Sequence, residues 1–275
     1  MTAGSGHWHL QAALWQRIAS PLRPSEEDLQ QNVRWTVPIL RRMEGSRAIA
    51  ILGVTPELAL MPWPGDVRIL GIDRSVAMVR DVWPRAVLGA RGTALNGDWR
   101  QLPLATGSLA WVIGDGSLSN LDSAADYDRL LAEVARTLRP EGRFSVRLYL
   151  GPDEPERPTA VIDALLDGGI GNFHAFKLRL AMALCAPDTH DIRVGDIFAF
   201  WSARRLDYAD LERRTGLPRA VIETIDNYRE SDIRYNFPPA GYVEERLARH
   251  FRIEDRFVPY YALGERCPSL LLAPR

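Results

Sequence analysis

The stretch AIAILGVTPE (residues 48–57), followed by VRILGI (67–72) and Asp73-Arg74-Ser75, decides the fold. Both segments open as short apolar runs of the kind that form strands buried on both faces, and both end in residues that stop a strand. Gly53 lets the backbone pass close to a ligand, and Pro56-Glu57 opens a helix whose first N–H groups have no partner within it. Ser75 then starts a second helical stretch, SVAMVRDVW (75–83). Strand, helix and strand in this order imply a right-handed crossover between parallel neighbours.

The same alternation continues outward. LAWVIG (109–114), counted as the fourth strand, and RFSVRLYL (143–150) are further strands, and SAADYDRLLAEVARTLR (123–139) has helical spacing between them. LRPEGRF (138–144) is expected to stop that helix and turn into the fifth strand. Near the C-terminus, GYVEERLARHF predicts a helix that leads into IEDRFVPYY and CPSLLLAP, two strands joined by LGER with Gly264 in the turn. The expected fold is α/β, a Rossmann-like, seven-stranded, mainly parallel sheet with helices on both faces and a closing antiparallel hairpin. Residues 46–150 and 241–275 make that core.

Residues 1–45 form a polar, helical N-terminal lid. It breaks at Ser20-Pro21, and its second helix starts after Ser25, an N-cap followed by Glu26 and Glu27. Residues 151–240 open with the turn GPDEPERP and lose the alternation. Helices near 158–167, 172–185 and 208–215 make them a mainly helical insertion or cap. No internal repeat or low-complexity tract interrupts the chain.

The composition excludes several classes. At 275 residues, with 46% hydrophobic and 25% charged residues, the chain is neither disordered nor a disulfide scaffold. A net charge of −1 argues against nonspecific nucleic-acid binding, which needs a basic stripe. No run approaches the about 20 apolar residues of a membrane span. MTAGSGHWHLQ lacks the basic start and apolar centre of a signal peptide, and Cys185 and Cys267 alone favour a reducing compartment; the expected location is cytoplasmic. Lys177 is the only lysine among 34 basic residues, an arginine excess that encoding bias explains. His7-Trp8-His9 lacks a nearby third ligand, so no metal is expected.

The loops after the strands carry the chemistry. Asp73 follows Gly53 by 20 residues, the spacing at which a carboxylate can accept both hydroxyls of an adenosine ribose; capping the next helix is the other role open to it. Gly97-Asp98-Trp99 can place a carboxylate on an adenine amino group and an aromatic ring beside it. Gly114-Asp115-Gly116-Ser117-Leu118 is a flexed loop at the carboxyl edge of the sheet.

LGVTPE, GIDRS, GDWRQLP, GDGSLSNL and LRPEGRF in that order, with the closing hairpin at 251–273, resemble class I S-adenosylmethionine-dependent methyltransferases. The resemblance covers about half the chain and is silent on residues 1–45 and 151–240. It implies S-adenosyl-L-methionine as cofactor, with Gly53 and Thr55 along its methionine portion, Asp73 on the ribose and Arg74 and Met78 beside the adenosine. It also implies Asp98 and Trp99 at the adenine, and Asp115 and Gly116 at the border of methionine and substrate. The first motif of that family has an acid two residues before its first glycine and two more glycines after it. Ile51, Thr55 and Glu57 stand at those places here. Two roles are open to Glu57: orienting the cofactor's ammonium, or balancing the helix dipole.

His174 is the candidate general base, because its ordinary pKa suits proton removal near neutrality. Lys177, three residues on, shares its helix face and is a substrate candidate, although a solvated surface position is expected for it. Arg147 is charged in an otherwise apolar strand and needs a partner, either a substrate carboxylate or Asp115. Trp35 can close over the cofactor or pack its helix on the core. The expected activity is methyl transfer to a small-molecule acceptor, in a homodimer or another oligomeric state. A noncatalytic cofactor-binding subunit is the alternative, and an NAD-dependent oxidoreductase is disfavoured because Gly53 lacks the companions of G-x-G-x-x-G.

Overall fold

The computed structural model describes residues 5–41, 43–45, 47–123 and 126–275. Met1–Gly4, part of the stretch read for targeting, lie outside the described residues, as do Arg42, Ser46, Ala124 and Ala125; the last two belong to the helix expected from residue 123. The N-terminal helices are α1 (Ser5–Ala13) and α2 (Glu26–Leu40). Ser25 caps α2 as expected: its hydroxyl accepts from the Asp28 N–H, and Asp28 Oδ2 accepts from the Ser25 N–H at 2.8 Å.

Alternation then runs β1 (Arg47–Leu52), α3 (Pro56–Ala59), β2 (Val67–Asp73), α4 (Val76–Asp81), α5 (Arg85–Leu88), β3 (Gly92–Asn96), β4 (Leu109–Asp115), α6 (Tyr127–Thr137) and β5 (Leu138–Arg147). The cap contributes α7 (Pro158–Leu166), α8 (Phe173–Ala183), β6 (Asp191–Arg193), α9 (Val194–Ser202), α10 (Tyr208–Thr215), α11 (Arg219–Ile222) and β7 (Arg234–Asn236). The chain closes with α12 (Ala240–Leu247), β8 (Phe251–Phe257) and β9 (Ser269–Pro274). The seven-stranded sheet has the order β3-β2-β1-β4-β5-β9-β8. Strands β1 to β5 pair in parallel, and β9 runs antiparallel to both β5 and β8.

Three elements differ from the sequence reading. The edge strand β3, GTALN, has no apolar run to announce it, because an edge strand with half-buried side chains does not need one. β5 begins at Leu138 rather than Arg143: LRPEGRF enters the sheet, with an irregular register against Leu109 and Trp111, instead of forming a turn. The cap also holds a two-stranded antiparallel sheet, β6 with β7, and is therefore not all helical.

Alternate residues of the strands feed two cores. On one face Ile49, Ile51, Ile69, Trp111 and Ile113 pack against Trp35 and Ile39 of α2. On the other, Ala50, Ile72, Val112, Phe144 and Leu272 pack against Leu130 and Val134 of α6 and Leu247 of α12. The cap has its own core around Phe173, Phe176 and Trp201, whose rings stand 5.2–5.7 Å apart. Among the described residues, no helix is long and apolar enough to cross a membrane.

Candidate functional site

The carboxyl ends of β1, β2 and β4 open on one cavity of about 860 Å³, measured to its mouth. Its sheet side is bordered by Gly53, Thr55, Asp73, Met78, Trp99 and Asp115. A neighbouring cavity of about 440 Å³ shares Asp73 and Trp99 with it and continues along Arg74, Gly97 and Asp98. Ligands bind at this edge of an open α/β sheet because the strand ends and helix starts leave polar backbone groups there.

Gly53 sits at φ +106, and its N–H donates to the Ile72 carbonyl at 2.7 Å. A Cβ there would stand 3.8 Å from Asp73 Oδ2 and 3.7 Å from the Trp99 ring, so glycine keeps the cradle open. Burial pushes the Asp73 carboxyl up to about 6, against the opposing N–H groups of Ser75 and Val54 and the charge of Arg74. The Ser75 N–H bond is 2.7 Å long, so Asp73 also steadies the start of α4. Trp99 Nε1 donates to the Ile72 carbonyl at 2.6 Å and fixes its ring between the two cavities. Thr55 is buried at the start of α3, and Met78 is buried in α4.

Asp98 and Arg74 flank the smaller cavity, each with an arginine or carboxylate partner. Arg100 Nη2 binds Asp98 at 2.7 Å and holds its carboxyl below the usual range. Arg74 makes an exposed 3.5 Å pair with Asp122. Gly116 does not border the cavity. Its φ is +61, its N–H donates to the Arg147 carbonyl at 3.0 Å, and a Cβ would come 2.5 Å from the Tyr149 ring.

Arg147 takes the partner inside the protein. Its Nε donates to Asp115 Oδ1 at 2.5 Å, its Nη groups donate to the Tyr261 and Tyr149 hydroxyls at 2.8 and 3.1 Å, and Asp28 lies 3.5 Å away. It does not border the large cavity and has no fork left for a substrate carboxylate. Trp35 packs in the core rather than over the site, with Nε1 donating to Asp255 at 2.8 Å.

Glu57 has a role that the sequence did not suggest. Its Oε1 accepts from Arg23 Nε at 2.6 Å, and the same guanidinium donates to the carbonyls of Trp15 and Ile18 at 2.7 and 3.0 Å. Glu57 therefore ties the N-terminal segment to the sheet and does not line the cavity.

His174 and Lys177 are both buried in α8, and neither reaches the cavity. Burial and nearby Lys177 push the His174 imidazole down to about 3, and its Nδ1 has no partner among the described residues. The geometry thus withholds from His174 the contact that proton removal requires. Lys177 is 2% exposed, contrary to the expected surface position. Its Nζ donates to Thr224 Oγ1 at 2.8 Å and stands 5.2 Å from the Tyr228 ring centre, and burial pushes it down to about 7.

Half of the cavity wall comes from segments on which the motifs were silent. Trp8, Gln11, Trp15, Ile18 and Leu22 line it from the N-terminal segment, the first two from α1 and the others from the irregular chain after it. Tyr149, at the end of RFSVRLYL, and Leu178, Tyr228, Tyr235 and Phe237 from the cap complete it. Nothing local marked these cap residues, of which Leu178 lies far from the Tyr228–Phe237 stretch in the chain. His7 is buried beside them, and among the described residues no cluster of His, Cys, Asp or Glu is arranged to hold a metal ion.

Residues 53–146 match the methyltransferase domain family. No curated protein matches the chain in sequence. Among solved structures, a Rhodobacter sphaeroides protein named after zinc-dependent alcohol dehydrogenases superposes with a TM-score of 0.62 at 14% identity, covering 100% of this chain and 99% of that one. The CcbJ methyltransferase of Streptomyces caelestis follows at a TM-score of 0.60 and 11% identity, covering 99% of each chain. The N-methyltransferase NodS of Bradyrhizobium japonicum WM9, bound to S-adenosyl-L-homocysteine, gives 0.52 at 11% identity and covers 98% of each chain. At these identities the likeness is one of fold. The family match is confined to residues 53–146, the stretch that holds the cradle at Gly53 and Asp73, and methyltransferases of this fold use S-adenosylmethionine as cofactor.

Proposed function

We propose that this protein is an enzyme that methylates a small molecule. When bound, S-adenosylmethionine supplies a methyl group made electrophilic by its sulfonium. The residues present fit that cofactor: the open cradle at Gly53 adjoins a half-buried, accepting carboxylate, and Trp15 Nε1 is buried on the cavity wall without a partner among the described residues. In this reading Asp73 accepts the ribose hydroxyls, and Gly53 and Thr55 follow the methionine portion. Met78, Arg74, Asp98 and Trp99 surround the adenosine, and Asp115 borders the methionine end. The helical lid and the cap cover the remaining wall and exclude water, so alignment of nucleophile and methyl supplies most of the acceleration. Cys185 and Cys267 are both free thiols, which supports a reducing, cytoplasmic setting.

Asp73 carries the reading, because its half-buried carboxylate stands at the end of β2 on the cavity wall, beside the open cradle at Gly53, and keeps acceptor capacity beyond its bond to the Ser75 N–H. Titration calorimetry with S-adenosylhomocysteine tests it. The intact protein is expected to bind, and Asp73→Ala is expected to weaken binding by about tenfold to a hundredfold, the worth of charge-assisted hydrogen bonds. An intact protein that does not bind overturns the proposal.

A further inference from the structure

We infer that the methyl acceptor is a neutral, planar, apolar molecule that carries one hydroxyl or N–H, read by Tyr235 and Gln11 with His7 as the positioning residue. This deepens the proposed function and rests on it.

The charge of the cavity wall is the first ground. Among the described residues its only ionisable carboxylates or bases are Asp73 and Asp115, both at the sheet edge assigned to the cofactor, and neither arginine nor lysine borders it. The cations nearby are committed elsewhere: Arg147 to Asp115, Arg23 to Glu57, and Lys177 to Thr224 behind the Tyr228 ring. An anionic acceptor would lose its hydration and find no counterion. A cationic acceptor would stand beside the donor's own positive charge.

The shape of the cap side is the second ground. Tyr235 makes edge-to-face pairs with Tyr228 at 6.4 Å and with Phe237 at 6.2 Å. The three rings stand as one rigid apolar wall, which favours a flat, apolar partner.

The polar atoms on this wall are the third ground. The Gln11 amide Nε2, which can only donate, lies 3.4 Å from His7 Nε2, so that nitrogen accepts and the ring proton sits on Nδ1, 3.1 Å from Ser231 Oγ. Nε2 is left to accept, and the Tyr235 hydroxyl donates to it at 3.3 Å. With its proton turned to His7, the Tyr235 oxygen offers lone pairs to the cavity. Gln11 Nε2 lies 3.4 Å from the same His7 nitrogen, and Gln11 Oε1 is buried with no partner. Burial and Lys177 push His7 down to about 4, so it stays neutral and keeps this arrangement near neutrality. A wall that offers acceptors selects a ligand that donates, and it disfavours one that cannot.

The test uses protein saturated with S-adenosylhomocysteine and four bicyclic probes: 2-naphthol, 2-methoxynaphthalene, 2-naphthoate and a 2-naphthyl trimethylammonium salt. Calorimetry is expected to show 2-naphthol bound about tenfold or more tightly than 2-methoxynaphthalene, with both charged probes weaker still. Tyr235→Phe, which removes only the hydroxyl, is expected to erase most of the preference for 2-naphthol while S-adenosylhomocysteine affinity is retained. His7→Leu should reproduce that loss, and the double variant should add little to it. Failure of the intact protein to bind S-adenosylhomocysteine overturns the proposed function and this inference with it. Cofactor binding with no 2-naphthol binding, with a charged probe preferred, or with the preference intact in Tyr235→Phe, overturns the inference alone.

Discussion

Burial acts on Asp73 and Lys177 in the same physical sense, disfavouring charge, yet only one of them meets a cavity. Asp73 is raised to about 6 on the cavity wall, where the ligand proposed above would compensate its lost hydration. Lys177 is lowered to about 7 inside the cap, with His7 and His174 as its titratable neighbours and no carboxylate paired to it among the described residues. The unfolded chain therefore binds more protons at this position between about pH 7 and the ordinary lysine value of 10.5. The penalty from Lys177 is full below about pH 7 and fades as pH rises through that window. Lys177→Met is expected to raise the melting temperature, by about 2–4 °C for each kcal/mol recovered, and to do so more near pH 6.5 than near pH 10. Thr224 is not orphaned by the change, since its hydroxyl also donates to the Val221 carbonyl at 2.6 Å. Thermal denaturation at the two pH values checks this. At this scale Asp73, Asp115 and Gly53 were legible because a strand end announces itself locally. The burial of Lys177 was not, because nothing in its immediate neighbours says that the cap folds around it.

Among the elements, the N-terminal segment has the most to do with the site. Trp15, Ile18 and Leu22 roof the cavity, and three polar contacts hold the segment down. Arg23 binds Glu57, Tyr149 Oη donates to the Pro21 carbonyl at 2.7 Å, and Asn172 Nδ2 donates to the Ser20 carbonyl at 2.8 Å. In the function proposed above, cofactor release requires some of these to part. Arg23→Met keeps the apolar stem but loses the pair with Glu57 and both carbonyl contacts, so it is expected to speed S-adenosylhomocysteine dissociation about tenfold; stopped-flow tryptophan fluorescence reads that rate. Helix α2 was legible down to its cap, because Ser25 and the acids after it act within one turn. The edge strand β3 and the β6–β7 pair were not, since each is short and is held by partners far away in the chain.

Across the whole molecule, cap and sheet keep largely separate apolar cores, joined where Tyr149 and Cys267 pack into the cap's and where Asn236 makes a polar contact. Asn236 of β7 is fully buried, accepts from the Tyr127 hydroxyl of α6, and donates to the Leu121 carbonyl at 2.8 Å. Asn236→Ala leaves a buried hydroxyl and a buried carbonyl without this partner. It is expected to cost about 2–4 kcal/mol, read by urea denaturation as a lower midpoint, with cap amides exchanging faster than those of β1 and β4.

The sequence by itself determined the parallel sheet, its closing hairpin and the sheet edge on which the cavity opens, because each depends on short-range patterns: apolar runs, glycines at strand ends, and a carboxylate at a set distance along the chain. Tertiary structure alone decided what fills the other half of the cavity. Trp8, Tyr149, Tyr228 and Tyr235 come together only when lid and cap close over the sheet, and Arg147 and Glu57 find their partners only then. Side-chain burial and pairing depend on neighbours distant in the chain, so no local pattern carries them.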